Sequence, residues 1–567
     1  MKMNKRKLLL FTGLTFLAAT NLFAGNNEKG IEYFDAELYE AAKIFFLQQD
    51  NLSPIDQAEN YYYLGQVYYQ LNQVDSASFY YQKATKTFPE YPFGYIGEGK
   101  LELKKGNKKI AEEFFKKANN FAKKNPAVQT AIAEVYLDAD DYVNTVIALD
   151  KAKKVNNKYS GIYLVEGDML MKKGKIGEAC SSYDNAILFN NSDKVAYLKS
   201  AKVYTVINKN RALDYLEQLI AIDPYYIPAY AVIGDINREI GSYQKAIDAY
   251  EKFIAIQGVP ITQHEYYAQL LFFQGYYDKA SDYIKYVLSR DPNNLVMKRL
   301  QAYNNLRLEN FSLGLEQINN FLEIMPEERH IYQDYITLAQ LATKEKQIQL
   351  AIEGYQKAFD LDSERAIADK IQKEISKIAL DARMYKEAVG YYEKYFETES
   401  SPEPLDYYNY GQAGYGAALY YIEKDNIAMV TTPEANADFE AALKNYVGKG
   451  DKAYAEVIKK RPDFYIGYLG RANINSLLDS NDDLRKRKFE GHAKPFFEEA
   501  LGVMLANNAD GLRNRDIINS YKYLLSYYSS PSAYDKPTII EYCKKILDID
   551  PNDEMARNAL SLFKIKY

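Results

Sequence analysis

Residues 233–250 read IGDINREIGSYQKAIDAY, and Pro260 follows shortly after. Four residues in this stretch decide how it folds: Gly234, Gly241, Ala246 and Tyr250. The same arrangement stands earlier in the chain as Leu64-Gly65, Tyr68, Ala77, Tyr81, Ala84 and Pro89. It stands again as Glu98-Gly99, Gly106, Ala111, Phe115 and Ala118. The spacing is about 34 residues, and a fixed period of that length is the mark of stacked helix pairs in a solenoid.

The spacing has a physical reading. Within each unit a first helix carries a Gly or Ala (Gly65, Gly99, Ala133, Gly167, Gly234, Ala268, Ala302, Ala339). A second helix carries an Ala (Ala42, Ala77, Ala111, Ala179, Ala212, Ala246, Ala280, Ala351, Ala388). Small residues at these two places let the helices approach, and large residues one turn away fill the seam. Tyr68, Tyr81, Tyr136, Tyr183, Tyr250, Tyr355 and Tyr392 occupy the large slots. Prolines at 54, 89, 224, 292, 326, 462 and 551 mark unit boundaries, since proline lacks an N–H and fixes φ.

This pattern resembles the tetratricopeptide-repeat family, through its Leu-Gly…Tyr…Ala…Phe/Tyr…Ala…Pro signature over nearly the whole chain. The family's usual tryptophan is absent, because the chain has none, and tyrosines such as Tyr61 stand nearby. The resemblance implies an all-α, right-handed superhelical solenoid of about 12–14 helix-turn-helix repeats closed by a C-terminal capping helix. It implies further that the first helix of each unit lines a concave face that receives partner segments. That face would carry Tyr62, Gln66, Tyr69, Lys100, Glu134, Asp168, Asp235, Arg238, Gln269, Phe272 and Tyr303. Some relatives clamp a C-terminal carboxylate with Lys and Asn in this position; here Tyr62 and Gln66 stand there, so that clamp is not expected.

The register is regular over 25–402 and loosens over 403–567 into longer helices with insertions. Ser400 to Pro404 reads as a linker, a charged stretch spans 481–488, and the residues after Asn552 read as the cap. At the start, Lys2, Lys5, Arg6 and Lys7 precede an apolar run from Leu8 to Ala19. That run is about 12 residues, short of the roughly 20 of a membrane span, so residues 1–24 read as a signal peptide cut after Ala24. The expected location is exported, in the periplasm or at the outer membrane, with no transmembrane span in the mature chain.

Composition narrows the function. With 71 basic and 77 acidic residues the chain is mildly acidic, which argues against nucleic acid. Cys180 and Cys543 are too far apart in a linear array for a disulfide and read as buried small residues. Residues 94–100 imitate a phosphate-binding loop, but Leu101 stands where Ser or Thr is needed and Gly99 is a repeat glycine. Gly411, Gly414 and Gly416 lack dinucleotide spacing and read as packing residues. Asp138, Asp140 and Asp141 read as a solvated turn rather than a calcium loop. His264, His330 and His492 have no metal-ligand partner at helical spacing. No catalytic role, metal or cofactor is therefore assigned. The one oddity is 55 tyrosines, which suit half-buried packing and interfaces.

Taken together the chain reads as a non-catalytic protein–protein interaction scaffold or assembly factor of the bacterial cell envelope. Its partners would be peptide or helix segments of other proteins, including envelope or outer-membrane components. Two alternatives stand beside it: a glycan-binding or nutrient-uptake accessory using exposed tyrosines, and an enzyme whose site lies in 403–500.

Overall fold

A computed structural model of the chain describes residues 27–423, 432–479, 489–506, 508 and 511–565. The signal peptide and its cleavage after Ala24, and the charged stretch 481–488, lie outside the described residues. The described residues form helices and no strands, and they fall into two compact units, Met1–Met297 and Lys298–Tyr567.

The first unit pairs α1 (Glu28–Asp35) with α2 (Tyr39–Leu47), α3 (Pro54–Gln70) with α4 (Val74–Thr87), and α5 (Pro92–Lys104) with α6 (Lys108–Phe121). It continues through α7 (Pro126–Asp138) and α8 (Tyr142–Val155), α9 (Ser160–Lys172) and α10 (Ile176–Phe189), α11 (Lys194–Ile207) and α12 (Lys209–Ile222). Then come α13 (Ile227–Glu239) with α14 (Tyr243–Phe253) and α15 (Ile261–Phe273) with α16 (Tyr277–Arg290).

The pairing goes on with α17 (Leu295–Arg307) and α18 (Phe311–Ile324), α19 (Tyr332–Lys344) and α20 (Ile348–Leu361), α21 (Ala368–Asp381) and α22 (Tyr385–Thr398). Two longer helices follow, α23 (Pro404–Leu419) and α24 (Pro433–Lys460), the latter 28 residues. The last elements are α25 (Tyr465–Ser476) with α26 (Lys494–Ala506), α27 (Asn514–Tyr528) with α28 (Lys536–Ile549), and a single closing helix α29 (Glu554–Leu562). Among the described residues this makes fourteen pairs and a cap, at the upper end of the number expected. The compact units part at 297/298.

Local chemistry explains each pair. Proline opens α3, α5, α7, α13, α23 and α24, where a missing N–H costs nothing. Between first and second helix one residue takes the left-handed conformation that ends a helix. Gly106, Gly174, Gly241 and Gly275 fill that slot, as do Asn72, Asp140, Glu309, Lys346 and Arg383. The glycine of the first helix is a notch for the tyrosine of the second. A methyl on Gly65 would lie 2.4 Å from the Tyr81 ring, and one on Gly167 would lie 2.4 Å from Tyr183. Tyr81, Tyr250 and Tyr392 are completely buried in these seams, and Ala77, Ala111, Ala246 and Ala388 lie beside them fully covered.

The apparent phosphate loop at 94–100 is inside α5, with Gly97 and Gly99 against Tyr81 and Phe115. Gly411 and Gly414 of α23 admit Tyr454 and the Gly450 backbone of α24. Both cysteines are free and buried.

Candidate functional site: the inner face of the first unit

The first helices of successive pairs place one residue each on a common inner row. At the repeat period these are Gln66, Lys100, Glu134, Asp168, Lys202, Asp235 and Gln269. The row is a set of interlocked polar groups. Tyr81 donates its hydroxyl to Gln66 Oε1 at 3.1 Å, and the same oxygen accepts from Lys100 Nζ at 3.1 Å. Gln66 in turn donates to the Tyr62 hydroxyl at 2.6 Å. Lys100, only 5% exposed, reaches on to Asp138 at 2.7 Å and lies 4.3 Å from the centre of the Tyr69 ring.

Two further pairs repeat the device fifteen residues apart. Tyr183 donates to Asp168 at 2.8 Å, and Tyr250 donates to Asp235. Lys199 closes on both oxygens of Asp168 at 2.8 and 2.9 Å. Arg238 sits 3.9 Å from Asp235 and covers the Tyr266 ring. Gln269 is half-buried, and Phe272 packs on Phe273 and Tyr277. In the second unit Tyr303 donates to Asp334 at 2.6 Å. The tyrosine excess is thus used in good part within the repeats, with rings in the seams and hydroxyls on the inner acids.

The winding of the first unit sets the shape of this face. Pair α1–α2 returns against the sixth and seventh pairs and the turns that follow them. Lys194 of α11 binds Glu28 at 3.3 Å, Glu32, and Asp223 at 3.1 Å. Lys29 donates to the Tyr225 carbonyl at 2.8 Å, and Lys202 meets Glu37 at 3.5 Å. Ala36 packs among Tyr197, Leu198 and Tyr226, and Ile256 packs with Phe46 and Leu64. The inner face of the first seven pairs is therefore a closed bore rather than an open trough.

The bore changes the chemistry of its acids. Glu134 keeps contact with water. Its carboxyl is pushed up to about 7 by loss of bulk solvation and by Asp168, against the opposing pull of Lys100, with Asp138 and Asp35 adding to the rise. Asp35 of α1 is likewise pushed up to about 7, by burial first, with Lys199 opposing and Asp193 and Glu32 adding. Tyr159 faces the same acids, and its phenol is raised to about 12 by burial and by Glu134, Asp193 and Asp35.

Of the residues expected on this face, Tyr62, Gln66, Tyr69 and Lys100 form one cluster and Asp168 a second. Asp235, Arg238, Gln269 and Phe272 follow in the later pairs, and Tyr303 belongs to the second unit. Asp35, Tyr159, Asp193, Lys194, Lys199 and Tyr226 also belong to the face and escape the sequence reading. The acids at the 138–141 turn are engaged by the fold: Asp138 by Lys100, Asp140 by Lys172, and Asp141 as the cap of α8. Among the described residues no group of three or more His, Cys, Asp or Glu has metal-binding geometry, and no helix is long and apolar enough to cross a membrane.

Comparisons with known proteins agree with this architecture. The tetratricopeptide-repeat family profile matches residues 58–91 and 227–258. A small glutamine-rich tetratricopeptide repeat-containing protein of Dictyostelium discoideum is 27% identical over 125 residues, 21% of this chain and 37% of its own length. A TPR repeat-containing protein of Methanocaldococcus jannaschii is 26% identical over 196 residues, 32% of this chain and 33% of its own. The matches thus span about a third of each relative. The crystal structure of the C-terminal part of a TPR repeat-containing protein from Cytophaga hutchinsonii overlays with a TM-score of 0.36 at 23% identity, covering 52% of this chain and 99% of that one. Two segments match the tetratricopeptide-repeat model and lie within a longer series of helix pairs, so the chain carries tetratricopeptide repeats and is similar to the proteins built from them.

Proposed function

We propose that the chain is a non-catalytic protein–protein interaction scaffold or assembly factor of the bacterial cell envelope, taking segments of partner proteins on the inner faces of its first helices. The observation that carries this reading is the continuous inner row Gln66, Lys100, Glu134, Asp168, Asp235 and Gln269. It sets polar side chains of both kinds, donors and acceptors, at the repeat spacing, and Tyr69 and Phe272 lie beside it as aromatic anchors. Gln66, Lys100, Asp168 and Asp235 are already oriented by partners within the fold, so they lose little ordering entropy on binding.

The export of the chain is the second half of the proposal and rests on the basic-then-apolar start of the sequence. Fractionation of cells producing the full chain tests it, with recovery in the cytoplasm as the outcome against it.

Site-specific photo-crosslinking tests the binding face. A photoreactive side chain at Tyr69 should capture envelope proteins, while one at Phe79, which is 58% exposed on the outer side of α4, should not. Equal capture at both positions, or capture at 79 alone, would overturn the inner-face assignment.

A further inference from the structure

Within the first unit, α1 and α3 face the starts of α9 and α11 across a cavity of about 510 Å³. Six carboxylates line it: Glu28, Glu32, Asp35, Asp56, Glu59 and Asp193. One cation lines it, Lys194, shared among Glu28, Glu32 and Asp223, and Lys29 reaches Glu32 from beside it at 3.1 Å. Asp56, Glu59 and Asp193 receive only neutral donors, from Ser53, Asn27 and the Ala196 backbone. Asp35 has no hydrogen-bond or ion-pair partner among the described residues. The cavity therefore holds negative charge that the fold does not neutralise.

A second observation points to an occupant. Tyr226 also lines the cavity, is completely buried, and its hydroxyl has no partner. Tyr226 lines the cavity beside Glu32, Asp35 and Asp193, with Lys194 Nζ 5.5 Å from its ring centre. A buried hydroxyl left without a partner costs free energy comparable to a lost hydrogen bond, and native folds seldom leave one without a reason. An ammonium group meets every demand of the site: three donors, positive charge and no acceptor, for carboxylate oxygens and a phenolic oxygen. A divalent metal does not meet them, since the acids are spread around the wall and form no metal-binding group.

We propose that this cavity binds an alkylammonium group, with Asp35 as its counter-ion and the Tyr226 hydroxyl oxygen as an acceptor. Such a group comes either as a lysine side chain of a partner segment or as a free polyamine. The proposal deepens the inner-face reading and rests on it, giving the partner a basic anchor. It also carries a pH signature. Around Asp35 stand Glu32 of its own helix, Asp193 and Lys199 from the α11 side, and Glu134 from α7. Its carboxyl titrates at about 7, and the bound cation favours the ionised form, so binding weakens on acidification.

Titration calorimetry on the full chain tests the proposal with three probes: N-acetyl-trilysine amide, the same peptide acetylated at each Nζ, and spermidine. The ammonium probes should bind at least tenfold more tightly than the acetylated peptide. Affinity should fall about tenfold between pH 8 and pH 6, as expected for a required carboxylate titrating at about 7. Asp35→Asn should weaken binding at least tenfold, and Tyr226→Phe severalfold. A tighter trilysine peptide assigns the site to a partner's lysine, and a tighter spermidine to a free polyamine. Equal binding of the acetylated peptide, no binding of either ammonium probe at millimolar concentration, or an unchanged affinity in Asp35→Asn would each overturn the proposal. Should Asp35→Asn melt early, Tyr226→Phe and the pH response decide, and no change in both overturns it. Crosslinks at Tyr69 without ammonium binding defeat the cavity alone; ammonium binding without those crosslinks defeats the inner-face reading alone.

Discussion

Gly258 passes so close to Ala41 that a methyl group on it would lie 2.8 Å from the Ala41 backbone nitrogen and 2.9 Å from its Cα. Gly258 sits between the seventh and eighth helix pairs, at φ +89°, and Ala41 is in the first pair. This contact marks where the first unit closes on itself.

Gly258→Ala should therefore be costly twice over, through the left-handed backbone and through a clash with backbone that cannot rotate away. The expected loss is about 2–4 kcal/mol, against about 1 kcal/mol for Gly241→Ala, which has a similar φ but open space around it. Thermal melting of both variants, with hydrogen exchange in α1 and α2, checks the difference. Equal losses would mean that the closing contact is not formed in solution.

Tyr183 separates ring from hydroxyl. Tyr183→Phe keeps the ring in the Gly167 notch and loses the bond to Asp168, which Lys199 still holds, so a loss of about 1 kcal/mol is expected. Tyr183→Ala empties the seam and should cost about 3–5 kcal/mol. Denaturant melts of the pair give the ratio; similar costs would show that packing in the notch contributes little.

Asp35 and Glu134 make stability depend on pH. Their ordinary values are 3.8 and 4.5, and both titrate at about 7 in the fold. The folded state thus binds more protons than the unfolded chain across that window. Their contribution is fully present below pH 4 and is lost as pH rises through 7. Asp35→Asn and Glu134→Gln should raise the melting temperature at pH 8 and leave it almost unchanged at pH 4. Melts at both pH values check this, and destabilisation at pH 8 would contradict the burial argument.

The second unit offers an independent test. Asp334 is fully buried, accepts from Arg299 Nη2 at 3.0 Å, from Tyr303 at 2.6 Å and from the Ile331 backbone at 3.0 Å, and lies 2.9 Å from Arg299 Nε in an ion pair. Asp334→Ala strands the arginine and should cost about 3–5 kcal/mol. Arg299→Met with Asp334→Leu should recover part of that loss, as read by melting of the double variant.

Much of the fold was legible because its decisive contacts are short in sequence. The notch and its tyrosine lie sixteen residues apart, as in Gly65 with Tyr81 and Gly167 with Tyr183, and the helix-ending slot follows at a fixed offset. Each of these is settled by the size of a side chain or the sign of φ, so a single repeat displays it. Register alone decides which residues of successive first helices stand at equivalent positions, so the row Gln66, Lys100, Glu134 and Asp168 can be written down from the sequence.

What stands across the bore was not legible. Lys29 meets the Tyr225 carbonyl at a separation of 196 residues, and Lys194 meets Glu32 at 162. Lys100 and Asp168 read as residues waiting for a partner, and the structure shows each already paired within the fold. Period and residue size determined the helix pair, its seam and its inward face. The rotation between neighbouring pairs, summed over the first six, decided that α1 comes back against α11, beside Asp35 and Tyr226. That sum depends on every seam at once, so no single stretch of sequence carries it.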